Sequence, residues 1–235
     1  MFKFKQFTIE QDKCAMKVGT DGVLLGAWTP VDNNPYAILD IGSGTGLLAL
    51  MMAQRTDAEQ IDGVEIDEAA HEQAINNFEN SPWGDRLFCY HAGLEQFATE
   101  IDEEYDLIIS NPPFFSEDVL SNDTQRDTAR FQEALPFDLL IEAVEFFLSE
   151  KGIFSVIIPA KEEDKLIHLA AEFGIYPMKV TRVRGHKDAE IKRSLIAFSR
   201  TFIEKIPLDE LIIEIDRHVY TPEFTALVKD FYLKM

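Results

Sequence analysis

A repeated unit of a short apolar run, a loop and a helical pattern begins at Ala37, and it restricts the possible folds of this chain more than any other feature. The runs are almost continuously apolar, whereas apolar residues in the following segments recur with helical spacing. Parallel strands joined by crossover helices produce this rhythm, because a parallel sheet is buried on both faces. The pattern predicts an α/β fold with a mostly parallel sheet.

The same pattern assigns individual strands and helices. Five strands are predicted at Ala37–Ile41, Gln60–Glu65, Leu87–Ala92, Asp106–Ser110 and Gly152–Pro159. Helices are predicted at Leu47–Arg55, Glu68–Asn80, Phe137–Phe147 and Lys161–Phe173. Two further β-like runs, Pro177–Val183 and Ser194–Ser199, flank a polar stretch, which is typical of a hairpin. The predicted sheet therefore has seven strands and ends in an antiparallel pair.

The chain after this hairpin predicts one more strand and a short helix. The apolar segment Leu211–Ile215 is followed by Thr221 and Pro222. Threonine is a good N-cap, and proline is favoured at the first helical position. We interpret 1–235 as a single domain, in which residues 1–36 are an N-terminal cover segment, residues 37–200 the core and residues 201–235 a C-terminal cover.

Composition argues against several classes of protein. Of the 235 residues, 46% are hydrophobic, yet no run of about 18 uncharged apolar residues occurs. The first residues alternate like a strand and do not resemble a signal peptide, which predicts a cytoplasmic protein with no membrane partner. Cys14 and Cys89 lie far apart and outside any CxxC motif, so neither a disulfide nor a metal site is expected.

A glycine-rich loop follows the first predicted core strand. Gly42, Gly44 and Gly46 lie between that strand and a helix, where glycine permits a sharp turn and the close approach of a ligand. Glu65 ends the next strand, roughly the twenty-residue interval at which an acidic side chain can meet ribose hydroxyls. These features predict a nucleoside cofactor, and a turn that serves only packing is the alternative.

The spacing of the glycines distinguishes between cofactors. Dinucleotide sites usually have G-x-G-x-x-G, which directs a helix N-terminus at a pyrophosphate, whereas this chain has G-x-G-x-G preceded by Asp40. A carboxylate would repel a pyrophosphate, but it can interact, directly or through water, with the cationic methionine part of S-adenosyl-L-methionine. We therefore expect S-adenosyl-L-methionine as the cofactor. Asp67, two residues after Glu65, is either part of this site or the N-cap of the next helix.

This stretch resembles the cofactor site of Rossmann-like class I methyltransferases. The resemblance implies that Ile66, next to the acidic Glu65, also contacts the cofactor. It implies a further contact near the adenine at His91 and Ala92, where many members of the superfamily have an acidic residue. For His91 alone, a structural or solvent-facing histidine is the alternative.

Two prolines and two aromatic residues follow the fourth core strand, where open α/β sheets bind their ligands. The Asn111 side-chain oxygen and the rigid Pro112 carbonyl oxygen can each accept one N–H from a planar amine, which leaves the lone pair to attack a methyl sulfonium. Phe114 would stack on the substrate, with Pro113 and Phe115 beside it. The motif predicts methyl transfer to an exocyclic or amide nitrogen, and a plain strand-ending turn is the alternative.

Three further stretches have a more specific pattern: Gln11–Trp28, Thr124–Arg130 and the ending Asp230-Phe231-Tyr232-Leu233. Together with the Asn-Pro-Pro-Phe motif, they resemble the bacterial tRNA(Val) adenine-N6 methyltransferases over nearly the whole chain. Those enzymes modify the adenine that adjoins the anticodon on its 3′ side. The resemblance implies that the stretch from Lys17 to Asp21, which includes Thr20, helps close the cofactor pocket, and that Arg126 and Arg130 reach RNA phosphate. A helix cap at Thr20 and salt bridges for the two arginines are the alternatives.

The charge distribution bears on an RNA partner. The formal charge is -20, which disfavours nonspecific binding to nucleic acid. Basic side chains nevertheless outnumber acidic ones between Lys179 and Lys205, and the predicted hairpin contains Lys187, Lys192 and Arg193. We expect these three side chains to contact phosphates of a tRNA anticodon loop. An ordinary solvated loop is the alternative for each of them.

Three other functions fit parts of the pattern. Release-factor glutamine methyltransferases share the Asn-Pro-Pro logic, but they typically have a longer helical N-terminal domain and Tyr where this chain has Phe114. Guanine-N2 methyltransferases of ribosomal RNA resemble the motif and usually contain a duplicated domain. An RNA-binding protein that keeps the cofactor pocket without turnover is the third. Methylation of an exocyclic adenine nitrogen in tRNA is the leading prediction.

Overall fold

The computed structural model describes residues 1–14, 16–113 and 135–235. Its strands are Phe2–Lys3 (β1), Thr8–Ile9 (β2), Ala37–Ile41 (β3), Gln60–Glu65 (β4), Leu87–His91 (β5), Tyr105–Ser110 (β6), Leu148–Pro159 (β7), Tyr176–His186 (β8), Arg193–Ser199 (β9), Leu208–Asp216 (β10) and Val219–Tyr220 (β11). Its α-helices are Thr20–Trp28 (α1), Leu47–Arg55 (α2), Glu68–Glu79 (α3), Leu94–Glu100 (α4), Phe137–Phe147 (α5), Glu163–Glu172 (α6) and Pro222–Val228 (α7). The predicted core strands and their helices are all present.

One large sheet forms the centre of the described structure. Its strand order is β11-β10-β8-β9-β7-β6-β3-β4-β5. The five adjacent strands β7, β6, β3, β4 and β5 pair in parallel with one another. β9 is antiparallel to both β7 and β8, which confirms the predicted antiparallel hairpin. From β3 the chain adds β4 and β5 on one side and then returns to add β6 on the other side of β3. The loops after β3 and β6 therefore lie side by side at the carboxyl edge of the sheet.

The C-terminal strand widens this sheet beyond the seven strands of the prediction. β10 pairs in parallel with β8 from Leu208 to Glu214, and β11 pairs with the end of β10. β10 supplies partners for backbone groups that β8 would otherwise leave unpaired at an edge. The predicted cap of the last helix is confirmed, because Thr221 Oγ1 accepts a hydrogen bond from Phe224 N at 3.1 Å.

Alternate residues of the central strands face two separate cores. In β3, Ile38 packs in the core that includes residues of α1, α2 and α7, whereas Leu39 and Ile41 pack in the core that includes residues of α4, α5 and α6. Every residue of β3 is buried, which accounts for its continuous apolar run. Burial on both faces makes this strand a rigid support for the loop that follows it.

Two features go beyond the sequence prediction. α4 is short, and only Leu94 and Phe97 are buried in it, so its sequence has too few apolar positions to show a helical period. The N-terminal strands β1 and β2 form a small antiparallel sheet of their own. Lys5 N donates to Phe231 O at 2.9 Å, which joins this N-terminal cover to the C-terminal one.

Three features are absent from the part of the chain that the structure describes: membrane spans, metal clusters and disulfides. None of its helices combines the length and the apolar character needed to span a bilayer. Within the same residues, no group of three or more His, Cys, Asp or Glu side chains could hold a metal ion. Cys14 and Cys89 are free thiols.

Candidate active site

The loop between β3 and α2 is shaped by glycines. Gly42, Gly44 and Gly46 have φ angles of +70°, +55° and +79°, which residues with a side chain rarely adopt. Gly42 N and Ser43 N both donate to Val64 O, at 2.9 and 3.1 Å, so the loop is attached to β4. A Cβ atom at Gly42 or Gly44 would meet no atom of the described residues within 4 Å. The backbone is therefore accessible to a ligand at these two positions.

Glu65, at the end of β4, is held against this loop by backbone donors. Its Oε2 atom accepts a hydrogen bond from Gly44 N at 2.8 Å, and its Oε1 atom accepts one from Asp67 N at 2.8 Å. The carboxylate is thus fixed in orientation, and its remaining lone pairs can accept further hydrogen bonds. Asp67 Oδ1 accepts from Ala70 N at 2.7 Å, which confirms that Asp67 is the N-cap of α3.

Asp40 lies behind the loop and is fully buried. Its Oδ2 atom accepts a hydrogen bond from Ala49 N, in the first turn of α2, at 3.1 Å. Its Oδ1 atom has no hydrogen-bond partner among the residues that the structure describes. Burial raises the pKa of Asp40 to about 7; the bond from Ala49 opposes this shift, and the charge of Glu65 adds to it. A cationic ligand group near the loop would favour the ionised form of this carboxyl.

A cavity of about 440 Å³ opens beside the glycine loop, a volume typical of small-ligand sites. The predicted site residues in its walls are Gly42, Gly44, Glu65, Ile66, Asp67, Ala92, Asn111 and Pro113. The wall also contains apolar side chains from several elements, including Ile41, Val64, Leu94 and Leu139. The fold therefore brings together residues that are widely separated in sequence, around a space with both polar and apolar walls.

Several predicted cofactor residues lie outside the walls of this cavity: Lys17, Thr20, Asp40, Gly46 and His91. The predicted helix cap at Thr20 is wrong, because α1 begins at Thr20 and its N-cap residue is Gly19, which has no side chain. His91 is exposed, and its Nε2 atom lies 3.1 Å from Ile66 O. The ring of His91 stacks on that of His71, with 5.2 Å between ring centroids. His91 therefore lies outside the cavity and contacts Ile66, which lines it.

Asn111 lies where β6 meets the cavity. The preceding residue, Ser110, is buried and donates from its Oγ atom to Ile41 O at 2.8 Å, which joins the ends of β6 and β3. The first turn of α1 lies on another side of Asn111. A Cβ atom added at Gly22 would be 3.8 Å from Asn111 Nδ2. The position of this side chain is thus determined by a strand end and a helix start.

The residues after Asn111 are described only in part. Pro112 is buried, and Pro113 lines the cavity. Four residues with predicted roles in substrate binding or catalysis lie outside the described residues: Phe114, Phe115, Arg126 and Arg130. Their roles stay predictions.

The basic hairpin lies at the same edge of the sheet, because β9 begins with Arg193 opposite Pro159 at the end of β7. Lys187 and Lys192 are exposed between β8 and β9, as a contact with phosphate requires. Arg193 is only partly exposed, and its Nε atom donates to Asp21 Oδ2 at 2.7 Å. Of the three phosphate contacts predicted in the hairpin, the two lysines face solvent and the arginine is in an ion pair.

The cavity also has walls that the sequence pattern did not indicate. Leu94, Glu95 and Gln96 come from the unpredicted helix α4, and Leu139 comes from α5. The sequence pattern did place the strand end near residues 91–93, at the edge of the sheet where the cavity lies. Only the fold shows that the next helix begins at the cavity, because a short helix with few apolar residues has no clear periodic signal.

The chemistry of these walls fits S-adenosyl-L-methionine. The Glu65 carboxylate suits the hydroxyl donors of a ribose, and the apolar Ile66 and Ala92 suit a purine ring. The unpartnered oxygen of buried Asp40 lies behind the loop, where a cationic methionine group would favour the ionised form of this carboxyl. Asn111 adds an amide oxygen that can accept a hydrogen bond from a substrate amine.

Full-length relatives are similar to this chain over its whole length. The family model of the methyltransferase small domain matches residues 23–176. The tRNA1(Val) (adenine(37)-N6)-methyltransferase of Flavobacterium johnsoniae is 65% identical over 235 residues, which are 100% of each chain. The protein of that name from Christiangramia forsetii is 56% identical over 236 residues and covers 100% of this chain and 98% of its own.

Solved structures share the fold. A predicted O-methyltransferase of Agrobacterium tumefaciens has a TM-score of 0.68 at 18% identity and covers 90% of this chain and 96% of its own. A methyltransferase of Pyrococcus furiosus has a TM-score of 0.58 at 20% identity and covers 83% and 90%. At these identities the likeness concerns the fold alone, and it confirms the Rossmann-like methyltransferase architecture. This chain belongs to the methyltransferase small domain family and to the tRNA1(Val) (adenine(37)-N6)-methyltransferases.

Proposed function

We propose that this protein transfers a methyl group from S-adenosyl-L-methionine to N6 of adenine 37 in tRNA1(Val), the reaction in the names of its relatives. The observation that supports this most directly is the position of Asn111. Asn111 lines the cavity that Gly42, Gly44 and Glu65 also line, and it follows the strand next to β3. Acceptor groups for a planar amine are therefore adjacent to the predicted cofactor site.

The proposed roles of Asn111 and Pro112 follow from the chemistry of an adenine amine. The N6 lone pair is delocalised into the ring, so the amine is a weak nucleophile. When the Asn111 side-chain oxygen and the Pro112 carbonyl oxygen each accept one N–H, the nitrogen can become pyramidal and direct its lone pair. The bound cofactor supplies an electrophilic methyl group on a cationic sulfur. The residues thus act by positioning and electrostatics, and the amine need not lose a proton before the transfer.

Binding of the RNA is proposed to combine stacking with phosphate contacts. Phe114 would stack on the adenine taken out of the anticodon loop, a contact worth about 1–3 kcal/mol per base. Lys187 and Lys192 would contact phosphates, since both are exposed at the edge of the sheet that carries Asn111. Arg126 and Arg130 are proposed to contact RNA phosphate as well. Action on tRNA also implies a cytoplasmic location.

Methylation of transcribed tRNA1(Val) tests this function. Wild-type protein should transfer labelled methyl from S-adenosyl-L-methionine to the transcript, and digestion should identify N6-methyladenosine. A transcript with guanine at the target position should not be labelled. Asn111→Ala should lower kcat at least about 100-fold, because it removes one of the acceptors of the reacting amine.

Asn80→Ala is the matched control, since Asn80 is exposed at the end of α3 and donates to Asn76 O. It should retain full activity. Label on guanine would replace the target base, and label on a release-factor glutamine instead of RNA would replace the substrate class. Cofactor binding without any labelled product would favour a noncatalytic RNA-binding protein.

A further inference from the structure

An ion pair joins the start of α1 to the base of the basic hairpin. Arg193 Nε donates to Asp21 Oδ2 at 2.7 Å, and Arg193 Nη1 donates to Lys192 O at 3.1 Å. The two charged side chains are 35% and 33% exposed, so the pair is partly shielded from solvent. The positive charge of Arg193 is thus compensated within the protein, unlike that of a side chain that awaits a phosphate.

Local capping holds the first turn of α1 only weakly. Its N-cap residue, Gly19, has no side chain to accept a hydrogen bond from the first turn. The hydrogen bond from Val23 N to Gly19 O is long, at 3.4 Å. Asp21 is the acidic residue of this turn, where a negative charge is also favoured by the helix dipole. The ion pair therefore restrains a helix start that local capping leaves weakly fixed.

The same turn lies against Asn111. A Cβ atom at Gly22 would be 3.8 Å from Asn111 Nδ2 and 3.0 Å from Leu47 Cδ2, so the backbone of α1 approaches both closely. A shift of this turn changes the space in which the Asn111 amide can orient. Small displacements of groups that position a reacting atom reduce rates strongly.

We propose that Asp21 and Arg193 are positioning residues, which hold the first turn of α1 against Asn111. Arg193 then affects the reaction through this helix and not through a contact with RNA phosphate, and the exposed Lys187 and Lys192 make the phosphate contacts of the hairpin. This inference rests on the proposed methyl transfer to tRNA, and it assigns Arg193 a role different from the one expected from its sequence position.

The test compares Asp21→Asn, Arg193→Gln and the double variant in methylation of tRNA1(Val). Each should lower kcat about fivefold with KM for the tRNA unchanged, because the position of Asn111 changes and the phosphate contacts do not. The double variant should be no slower than either single one, since both substitutions remove the same interaction. The slope of log affinity against log salt should stay as in the wild type.

Glu210→Gln is the matched control, because it removes another carboxylate that pairs with an arginine of the hairpin. Glu210 Oε2 lies 2.6 Å from Arg184 Nη2, on the strand beyond β8. This variant should keep the wild-type kcat. A loss in Glu210→Gln equal to that in Asp21→Asn would reduce the effect to general weakening of the hairpin and overturn the inference.

Hydrogen exchange supplies a readout that does not depend on activity. Amides of residues 20–23 should exchange faster in Asp21→Asn and Arg193→Gln than in the wild type and in Glu210→Gln. Unchanged exchange and unchanged kcat would overturn the inference. It would also be overturned if Arg193→Gln alone raised KM for tRNA and lowered the salt slope, since Arg193 would then bind phosphate. If the wild type left the RNA unmethylated, the proposed function would fail, while the exchange comparison would still decide whether the pair restrains α1.

Discussion

The two sides of the proposed active site are held by different kinds of interaction. On the cofactor side, the glycine loop is attached to β4 by backbone hydrogen bonds, and two backbone N–H groups orient Glu65. On the substrate side, a partly exposed side-chain pair, Asp21 and Arg193, joins α1 to the hairpin. Exposed ion pairs are screened by salt, whereas backbone contacts between buried strands are not. Substitutions on the cofactor side should therefore act through packing and backbone geometry. Substitutions on the substrate side should act through charge, and their effects should depend on salt.

Gly46→Ala should have the largest effect on stability, and it tests whether packing holds the glycine loop. A Cβ atom there would be 2.3 Å from Phe78 Cε1, in a backbone with φ of +79°. Overpacking and left-handed strain together should lower the free energy of unfolding by about 3 kcal/mol, measured by urea titration.

Gly42→Ala is its matched control within the same loop. Its φ is +70°, but the added Cβ would meet no described atom within 4 Å. We expect a loss of only about 1 kcal/mol in stability, from the left-handed strain. The new methyl group faces the space of the cofactor, so cofactor affinity should fall instead. Equal stability losses in both variants would break the contrast between packing and ligand contact in this loop.

The pH dependence of stability tests the electrostatics of the cofactor side. Burial raises the pKa of Asp40 to about 7 in the folded protein, whereas an unfolded aspartate titrates near pH ~4. The folded state therefore retains a proton that the unfolded state releases, and stability is lost as the pH rises from about 4 through about 7. Asp40→Asn should remove about 2 kcal/mol of this decline between about pH 5 and pH 8, measured by urea unfolding without cofactor. Identical pH profiles of the wild type and Asp40→Asn would show that ionisation of Asp40 does not destabilise the folded protein.

Lys187→Gln combined with Lys192→Gln tests the charge dependence of the substrate side. We expect tRNA affinity to fall about tenfold, and the slope of log affinity against log salt to decrease by about one per lysine. Cofactor affinity should not change. Lys151→Gln is the control, because Lys151 is also exposed but lies in the first half of β7, away from the carboxyl edge. Titrations at several salt concentrations that give the same slope for both proteins would argue against the hairpin as an RNA surface.

His91→Ala should have the smallest effect and sharpens the boundary of the cofactor side. Nε2 of His91 is 3.1 Å from Ile66 O, and Ile66 lines the cavity. Loss of one hydrogen bond should raise the Kd of the cofactor about threefold in calorimetric titration. His168→Ala removes a histidine with a similar bond to a backbone carbonyl, that of Asp164 in α6, and should leave Kd unchanged. If the Kd of His91→Ala were within error of the wild-type value, His91 would be a surface residue that does not contribute to cofactor binding.

The parts of the fold that were predictable have strong local signals. The predicted bounds of Ala37–Ile41, Leu47–Arg55 and Phe137–Phe147 agree with the structure, because a buried run or a clear helical period extends through each. The short helix α4 was missed for want of such a period. The alternative of a helix cap at Thr20 is wrong, because a residue type that favours caps does not specify which neighbour occupies the position, and Gly19 occupies it here.

The sequence by itself determined the parallel sheet, the glycine loop with Glu65 at the following strand end, and the Asn-Pro-Pro motif at the end of β6. These follow from local backbone preferences and from the spacing of apolar residues, which neighbouring residues dictate. Only the tertiary structure decided that β10 joins the sheet beside β8 and that Asp21 pairs with Arg193, 172 residues away. Such contacts form only when the strands pack in a particular order. That order brings together groups that are far apart in the sequence, so no local sequence pattern indicates them.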